Sequence, residues 1–387
     1  MRWSLIRRKL AGVDRAIDKA IERAEIPGAV VLARMPRQGE LLLHESVRGF
    51  AVLRPERIPM RRDTIFDLAS LTKPLATTTA VMLLVNEGAL GLDDPVSKHL
   101  PVFSEREKDG VTVRHLLTHS SGLKPWRAFH ELVLERERKT GERLMASPAA
   151  REMILDRVLR SALVHGPGEA AVYGDLDFMV LGALVEAVAR QPLERFCAER
   201  IFRPLGLGDT FFVPLAAGAE PAGLGEAARR RVAATEDCPW RGRILWGEVH
   251  DPNAWAMGGV AGHAGLFASA DDVMRFATVL LDVTHGRSQA LPRELLRAFL
   301  TRQGLPAGSG WALGWDTPTE GRSNAGRHFS QSTVGHLGFT GTSLWIDLEA
   351  EAVVVMLTNR VHLVAKRSSL GLRPLVHDLI REAFEKG

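Results

Sequence analysis

Two pairs of apolar runs, one near each end of the chain, constrain this sequence more than any other feature. Near the start, GAVVLARM and ELLLHESVRGF are separated by a short polar turn and read as a hairpin. Near the end, TSLWIDLE and EAVVVMLTN form a second pair, followed by a helix from about Pro374 to Glu385. The stretch between them, from about 70 to 300, reads mainly as helix. Strands from both ends can join one antiparallel sheet, with the helical middle as a neighbouring lobe. The expected fold is therefore α+β within a single domain spanning 1–387. Its sheet lobe is expected at about 1–68 and 300–387, and its helical lobe at about 69–299. A cleft between the lobes is the natural place for a site.

Local signals agree with this outline. Leu10, Val13, Ile17, Ile21 and Ala24 fall at helical spacing, and Pro27-Gly28 stops that helix. Ser147-Pro148 and Ser269, which precedes Asp271 and Asp272, read as helix caps. The Pro/Gly-rich stretch from about 213 to 225 reads as a surface loop. Apolar residues at 45% and charged residues at 25% exclude a collagen, a coiled coil or a largely disordered chain. The net charge is +4 with the basic residues dispersed, and the densest run, Arg229-Arg230-Arg231, reads as a solvated loop. No nucleic-acid partner is expected. Cys197 and Cys238 give no paired framework and read as buried thiols in a reducing compartment. MRWSLIRRKLAG lacks the apolar stretch of a signal peptide, and no run is long enough to span a membrane, so a cytoplasmic location is expected.

The sharpest chemical signal is Ser70-Leu71-Thr72-Lys73, entering a helix through TTTAVMLLVNEG. Residues three apart share a helix face, so Lys73 can present its amine to the Ser70 hydroxyl. Pro74 fits if the helix has just begun, which puts Ser70 at the positive end of the helix dipole. S-x-x-K alone is a common pattern, but its context is not. Tyr173-Gly174-Asp175 opens another helix after Pro167-Gly168, and Tyr173 is the one tyrosine of the chain. His336-Leu337-Gly338-Phe339-Thr340-Gly341-Thr342 runs directly into the strand SLWID. These three elements can converge on one carbonyl group.

With LASLTK, LDDPVSKHLP, VRHLLTHSSGL, GGVAGHAGLFASADDVMRF and GHLGFTGTSLWID, the chain resembles serine β-lactamase-related proteins. Class C β-lactamases, D,D-carboxypeptidases and family VIII esterases are the nearest groups. GEVHDPNAWAMGGVAGHAGLF resembles a branch near cell-wall recycling amidases. The resemblance implies a β-lactamase/transpeptidase-like fold and an acyl-enzyme on Ser70, with Lys73 or Tyr173 taking the serine proton. It further implies an oxyanion hole from the backbone N–H groups of Ser70 and Phe339, and substrate contacts at Gly338 and Thr340. Asp175 and His336 complete the implied catalytic set, and both depart from the family pattern. Asp175 stands where many relatives have asparagine, and an adjacent carboxylate opposes the fall in pKa that a lysine base needs. His336-Leu337-Gly338 replaces Lys-Thr-Gly, exchanging a permanent cation for a group of pKa about 6.5. Poor hydrolysis of ordinary β-lactams, and activity rising with pH through His336 deprotonation, are the expectations.

His119 and His263 read as structural, while His250 and Asp251 are candidates for the cleft wall. No HExxH or Cys/His ligand spacing occurs, so no metal is expected. GGVAGHAG does not lead from a strand into a helix, and no cofactor is expected. The expected partner is a small-molecule, peptide or muropeptide substrate, with the oligomeric state left open. The leading reading is a serine acyl hydrolase, an amidase or peptidase on peptidoglycan-derived fragments. A carboxylesterase of the same fold and a non-catalytic, penicillin-binding sensor of cell-wall fragments are the alternatives.

Overall fold

In the computed structural model the chain is described over residues 2–105, 108–215, 224–319, 321, 323–362 and 371–386. Its strands are β1 (Gly28–Arg37), β2 (Glu40–Val52), β3 (Ile58–Pro59), β4 (Ile65–Asp67), β5 (Thr210–Phe212) and β6 (Asp237–Cys238). They continue with β7 (Arg243–Ile244), β8 (Leu266–Ser269), β9 (Thr333–Leu337), β10 (Ser343–Asp347) and β11 (Ala352–Thr358). The main sheet has six strands in the order β3-β2-β1-β11-β10-β9. The two ends of the chain thus meet at its centre, where Ala29 pairs with Thr358 and Arg34 with Val353, antiparallel. The fold is of the expected α+β type, with strands from both chain ends in one antiparallel sheet.

Both faces of the central strands are buried, which explains their near-continuous apolar sequence. The period-2 alternation of β11 divides them. Val353, Val355 and Leu357 face the larger core with Val30, Leu32, Leu344 and Ile346. Helix Ala270–Thr284 lies on this side, contributing Val273, Phe276, Ala277 and Leu280. On the other face, Ala29, Val31, Val354, Met356 and Trp345 pack under the terminal helices Arg2–Glu22 and Leu372–Lys386. Leu10, Val13 and Ile17 of the predicted stripe are buried there, with Val376 and Ile380. The stripe ends sooner than its spacing suggests, because Ala24 lies past the helix in a left-handed turn, φ +54°.

The middle of the chain is mainly helical, but short strands occur within it. β5, β8 and β4 form a three-stranded sheet, and β6 pairs with β7. Runs of two to four residues are too short to display a period, so their sequence carries no strand signal. Ser147 and Ser269 cap their helices as expected, accepting from the N–H groups of Ala150 at 3.1 Å and Asp272 at 3.3 Å. Arg230 pairs with Glu56 and Arg231 with Asp209, so the basic run is partly neutralised by carboxylates. The 213–225 stretch lies largely outside the described residues. Cys197 and Cys238 are free and buried. Among the described residues no helix is long and apolar enough to cross a membrane.

The central helix Leu176–Ala189 is apolar nearly all round, as a helix surrounded by protein must be. It positions the site through one close approach. A Cβ on Gly182 would lie 2.9 Å from Gly262 Cα, and a Cβ on Gly262 would lie 2.1 Å from the Phe178 carbonyl oxygen. Both glycines therefore let the loop carrying His263 sit directly on the helix that follows Tyr173. Gly262→Ala should force them apart and destabilise the fold by about 1–3 kcal/mol, in the manner of overpacking. A lowered midpoint in urea denaturation checks this, and an unchanged midpoint contradicts it.

Candidate active site

The Ser70 turn is held from below by one carboxylate. β4 ends at Asp67, whose Oδ1 accepts the Ala69 N–H at 2.8 Å and whose Oδ2 accepts the His250 N–H at 2.7 Å. Ala69 is held at φ +47°, a conformation that typically costs a residue with a Cβ about 1–3 kcal/mol. A single 3₁₀ turn, Ala69–Leu71, leads into a π-helical turn, Lys73–Thr78, before the α-helix Thr79–Asn86. Pro74 sits in the first turn of that helical segment, where its missing N–H costs little. Thr72 ties the turn to β8 by accepting the Leu266 N–H at 3.1 Å, and Thr77 donates to the Gly262 carbonyl at 2.6 Å.

Lys73 is the centre of the site, with no exposed side-chain surface. Its Nζ donates to Asp175 Oδ1 at 2.7 Å, Tyr173 Oη at 2.9 Å, Ser70 Oγ at 3.0 Å and the His263 carbonyl at 3.3 Å. Burial pulls the ammonium's pKa down, but the Asp175 charge, followed by Tyr173, outweighs it and holds Lys73 above the ordinary lysine value. Lys73 is therefore a cation at neutral pH. Tyr173 comes from the turn before the central helix and stacks on Trp311, with ring centroids 5.7 Å apart. The phenol ring also lies 4.9 Å from His119 and 5.6 Å from His336.

The turn after β9 closes over Ser70. Gly338 donates its N–H to Thr342 O at 2.8 Å, and Thr342 Oγ1 donates to Leu68 O at 3.0 Å. A Cβ at Gly338 would lie 2.4 Å from that same Leu68 oxygen, so the approach needs glycine. Phe339 is 61% exposed at the cleft, and its N–H has no acceptor among the described residues. Thr340, expected to contact substrate, is 1% exposed and donates its hydroxyl to Asp67 O at 2.7 Å. It fastens the turn to β4 instead.

His336 is buried beside Tyr173, and its Nδ1 lies 2.8 Å from the Leu337 carbonyl. A carbonyl can only accept, so the proton sits on Nδ1 and Nε2 carries the lone pair. Nε2 is buried with no partner. Burial first, and then the Lys73 charge, lower the imidazole pKa to about 3. The expected rise of activity through His336 deprotonation is thereby overturned, because His336 is already neutral from pH 5.5 to 8.

These residues open on a pocket of about 760 Å³. Ser70, Tyr173, Asp175, His336, Gly338 and Phe339 all line it, as do His250 and Asp251. His263 also lines it, with Nε2 2.9 Å from Asp251 Oδ1. Burial would raise the Asp251 pKa, but His263 holds it below the usual carboxylate range. Asp175, Asp251 and His263 bring one ligand atom each within 4.8 Å of one another. Asp175 is paired with Lys73, and Asp251 shares a hydrogen bond with His263, so these side chains already satisfy one another.

Sequence reasoning missed Trp126, Trp311, Arg360 and Arg373, which complete the pocket wall. Arg373 donates to Gly338 O at 3.2 Å and Thr342 O at 3.1 Å, while Arg360 Nε donates to Phe339 O at 3.0 Å. Burial, then the charge of Arg360, bring the Arg373 pKa down to about 10. Isolated arginines and tryptophans carry no spacing signal. Trp311-Ala-Leu-Gly-Trp315, two tryptophans in five residues of loop, is the nearest thing to a flag.

A family model described as Beta-lactamase matches residues 13–374. A protein of Escherichia coli K12 named "Putative D-alanyl-D-alanine carboxypeptidase" is 34% identical over 335 residues, covering 81% of this chain and 73% of that protein. Among solved structures, EstCE1, a hydrolase with promiscuous acyltransferase activity, is 26% identical with a TM-score of 0.69, covering 98% of this chain and 99% of that one. Simvastatin synthase from Aspergillus terreus has a TM-score of 0.73 at 21% identity, over 98% and 99% of the two chains, a likeness of fold. With the family model matching almost end to end and a relative this similar over four-fifths of the chain, the protein belongs to the Beta-lactamase family and is a serine hydrolase.

Proposed function

We propose that the protein is a serine acyl hydrolase working through an acyl-enzyme on Ser70, an amidase or peptidase acting on peptidoglycan-derived fragments. The observation that carries this is the Lys73 ammonium, which joins Ser70 Oγ, Tyr173 Oη and Asp175 within one cluster at the pocket floor. Ser70 Oγ attacks the substrate carbonyl carbon. Lys73, held cationic by Asp175, has no lone pair to offer, so Tyr173 relays the proton: its Oη takes the serine proton as the phenol's own proton passes to the leaving amine. The backbone N–H groups of Ser70 and Phe339 receive the carbonyl oxygen, each such donor typically contributing about 2.7–4 kcal/mol. Water subsequently releases the acyl group.

Gly338 lies beside this oxyanion site and contacts the substrate backbone. Arg360 and Arg373 offer positive charge at the pocket wall, which suits the carboxylates of peptide fragments. The name carried by the Escherichia coli relative points to the same substrate class. The free, buried thiols of Cys197 and Cys238 suit a cytoplasmic setting. A carboxylesterase is the second reading, favoured by the exposed Trp126 and Phe339 in the pocket and by the likeness to EstCE1. A non-catalytic sensor is the weaker third, since the Ser70, Lys73 and Tyr173 set is complete.

Time-resolved intact-mass spectrometry with a short activated ester and a muropeptide, followed by peptide mapping, should place an adduct on Ser70. Ser70→Ala should lose turnover by about 10⁶-fold, and retained activity would refute the assignment. Asp175→Asn removes the main counterweight to burial, so the Lys73 pKa should fall. A lysine with a lowered pKa loses its charge at lower pH, so the Lys73 side-chain titration followed by NMR should move to lower pH in this variant. An unmoved titration argues that Asp175 does not hold Lys73 charged. Finally, neutral His336 and apolar Leu337 offer no cation or hydroxyl to a β-lactam carboxylate. Slow cephalosporin hydrolysis should result, accelerated in His336→Lys; rapid turnover by the wild type would contradict this.

A further inference from the structure

The turn that carries Tyr173 is held on both sides by a single residue. His119 accepts the Val172 N–H on its backbone carbonyl at 2.8 Å and the Gly174 N–H on its ring Nδ1 at 3.3 Å. The residues immediately before and after Tyr173 thus hang from the same histidine. His119 itself is held at φ +55°, in the left-handed region, and its ring meets the Tyr173 ring edge-on at 4.9 Å. None of these contacts reaches the reacting atoms.

The second half of the device is Asp177, in the first turn of the central helix and 3% exposed. Its Oδ1 accepts the Ser121 hydroxyl, and its Oδ2 lies 3.1 Å from His119 Nδ1. That nitrogen already accepts from Gly174 on its one lone pair, so the proton of the neutral ring sits on Nε2, which has no partner among the described residues. A carboxylate facing that lone pair would repel it, and the contact is a hydrogen bond when Asp177 is the protonated partner, its O–H sharing the Nδ1 lone pair with the Gly174 N–H. Burial pushes the Asp177 carboxyl up to about 8. Lys73 and His165 face it and pull the other way, while Asp175 pushes with burial. Burial, then the charge of Lys73, lower the His119 pKa to about 3, so the ring is neutral.

We propose that His119 and a protonated Asp177 form a neutral clamp that positions Tyr173 for proton transfer. The proposal rests on the reading of Tyr173 as the proton carrier. His119 and Asp177 are positioning residues, acting through the turn on either side of the phenol. Protonated Asp177 serves as the donor that fixes the His119 tautomer, and loss of that proton would set a carboxylate against the lone pair of Nδ1. The clamp would then open, and Tyr173 would lose its fixed place beside Lys73. Displacing a catalytic group by about 1 Å can cost about 10²-fold in rate.

The test compares kcat/KM profiles from pH 6 to 10 for wild type, Asp177→Asn and Asp177→Leu, with thermal melts in parallel. Asparagine reproduces the protonated acid, since its Nδ2–H can donate to His119 and its oxygen can accept from Ser121. Asp177→Asn should keep activity within a few-fold of wild type at pH 7, and its alkaline limb near pH 8 should disappear or move up. Asp177→Leu, of similar volume but without a donor, should lose about 10²-fold in kcat with little change in KM. A limb that stays in place in Asp177→Asn overturns the clamp, as does wild-type kcat in a folded Asp177→Leu. If Asp177→Leu does not fold, the Asp177→Asn profile decides. Tyr173→Phe separates the two failures. Full activity in that variant overturns the assignment of Tyr173 and with it the clamp's purpose. An inactive Tyr173→Phe alongside an unchanged limb in Asp177→Asn overturns the clamp alone.

Discussion

A buried ammonium with more acceptors than protons organises this active site. Taking an ammonium out of water costs several kcal/mol unless every N–H is satisfied and a counter-charge is close. Lys73 has three protons and four oxygens around it, from Ser70, Tyr173, Asp175 and the His263 carbonyl. These oxygens belong to the Ser70 turn, the entrance of the central helix and the 258–265 loop, so one cation ties three segments together. The surplus acceptor has a chemical consequence. In the proposed mechanism, when Ser70 Oγ bonds a substrate carbon each N–H keeps a partner, so the covalent bond would leave no buried donor unsatisfied. Asp175 supplies the charge that permits this, and for the same reason it keeps Lys73 from acting as a base.

The fold delivers the second wall of the site through close backbone approach. The chain ends meet in the middle of the main sheet, which puts β9 at its edge and leaves the turn after it free to reach β4. Thr340 and Thr342 fasten that turn to the carbonyls of Asp67 and Leu68, the two residues before Ala69. The Phe339 N–H and Ser70 are thus fixed relative to each other by hydrogen bonds one to three residues away from each. The strained φ of Ala69 persists because Asp67 grips its N–H from one side and the buried Leu68 and Leu71 anchor the other. A serine held this way would pay little reorganisation in acting as the proposed nucleophile.

Much of this was legible in the sequence, and the parts that were not share a cause. Strand pairs at both chain ends announced the sheet because both faces of β1 and β11 need apolar residues. The meeting of Ser70, Lys73 and Tyr173 was legible because helix spacing and a single tyrosine are local facts, whereas Asp175 was singled out only through the resemblance. β5 and β8 were not, being too short to show a period. The purpose of Thr340 was misread since a hydroxyl in a turn can face a cleft or a carbonyl, and only Asp67, 273 residues away in the chain, decides which. His336 was expected to titrate because a sequence shows its ordinary pKa and not its burial. Arg360 and Arg373 were invisible for the same reason, as one arginine looks like another until its surroundings are known.

Charge in the pocket is divided in a way that separates recognition from chemistry. Lys73 and Asp175 cancel at the floor, and the two imidazoles beside Tyr173 are neutral. The net field on a developing oxyanion therefore comes from backbone dipoles, those of the Ser70 turn and of Phe339, and not from a full positive charge. Full charges stand at the wall, where Arg360 and Arg373 grip the carbonyls of Phe339 and Gly338 and have no carboxylate partner among the described residues. In the proposed mechanism, holding a substrate anion and moving the serine proton therefore fall to different residues. An anion at the wall would sit apart from Lys73, whose charge is balanced by Asp175 at 2.7 Å.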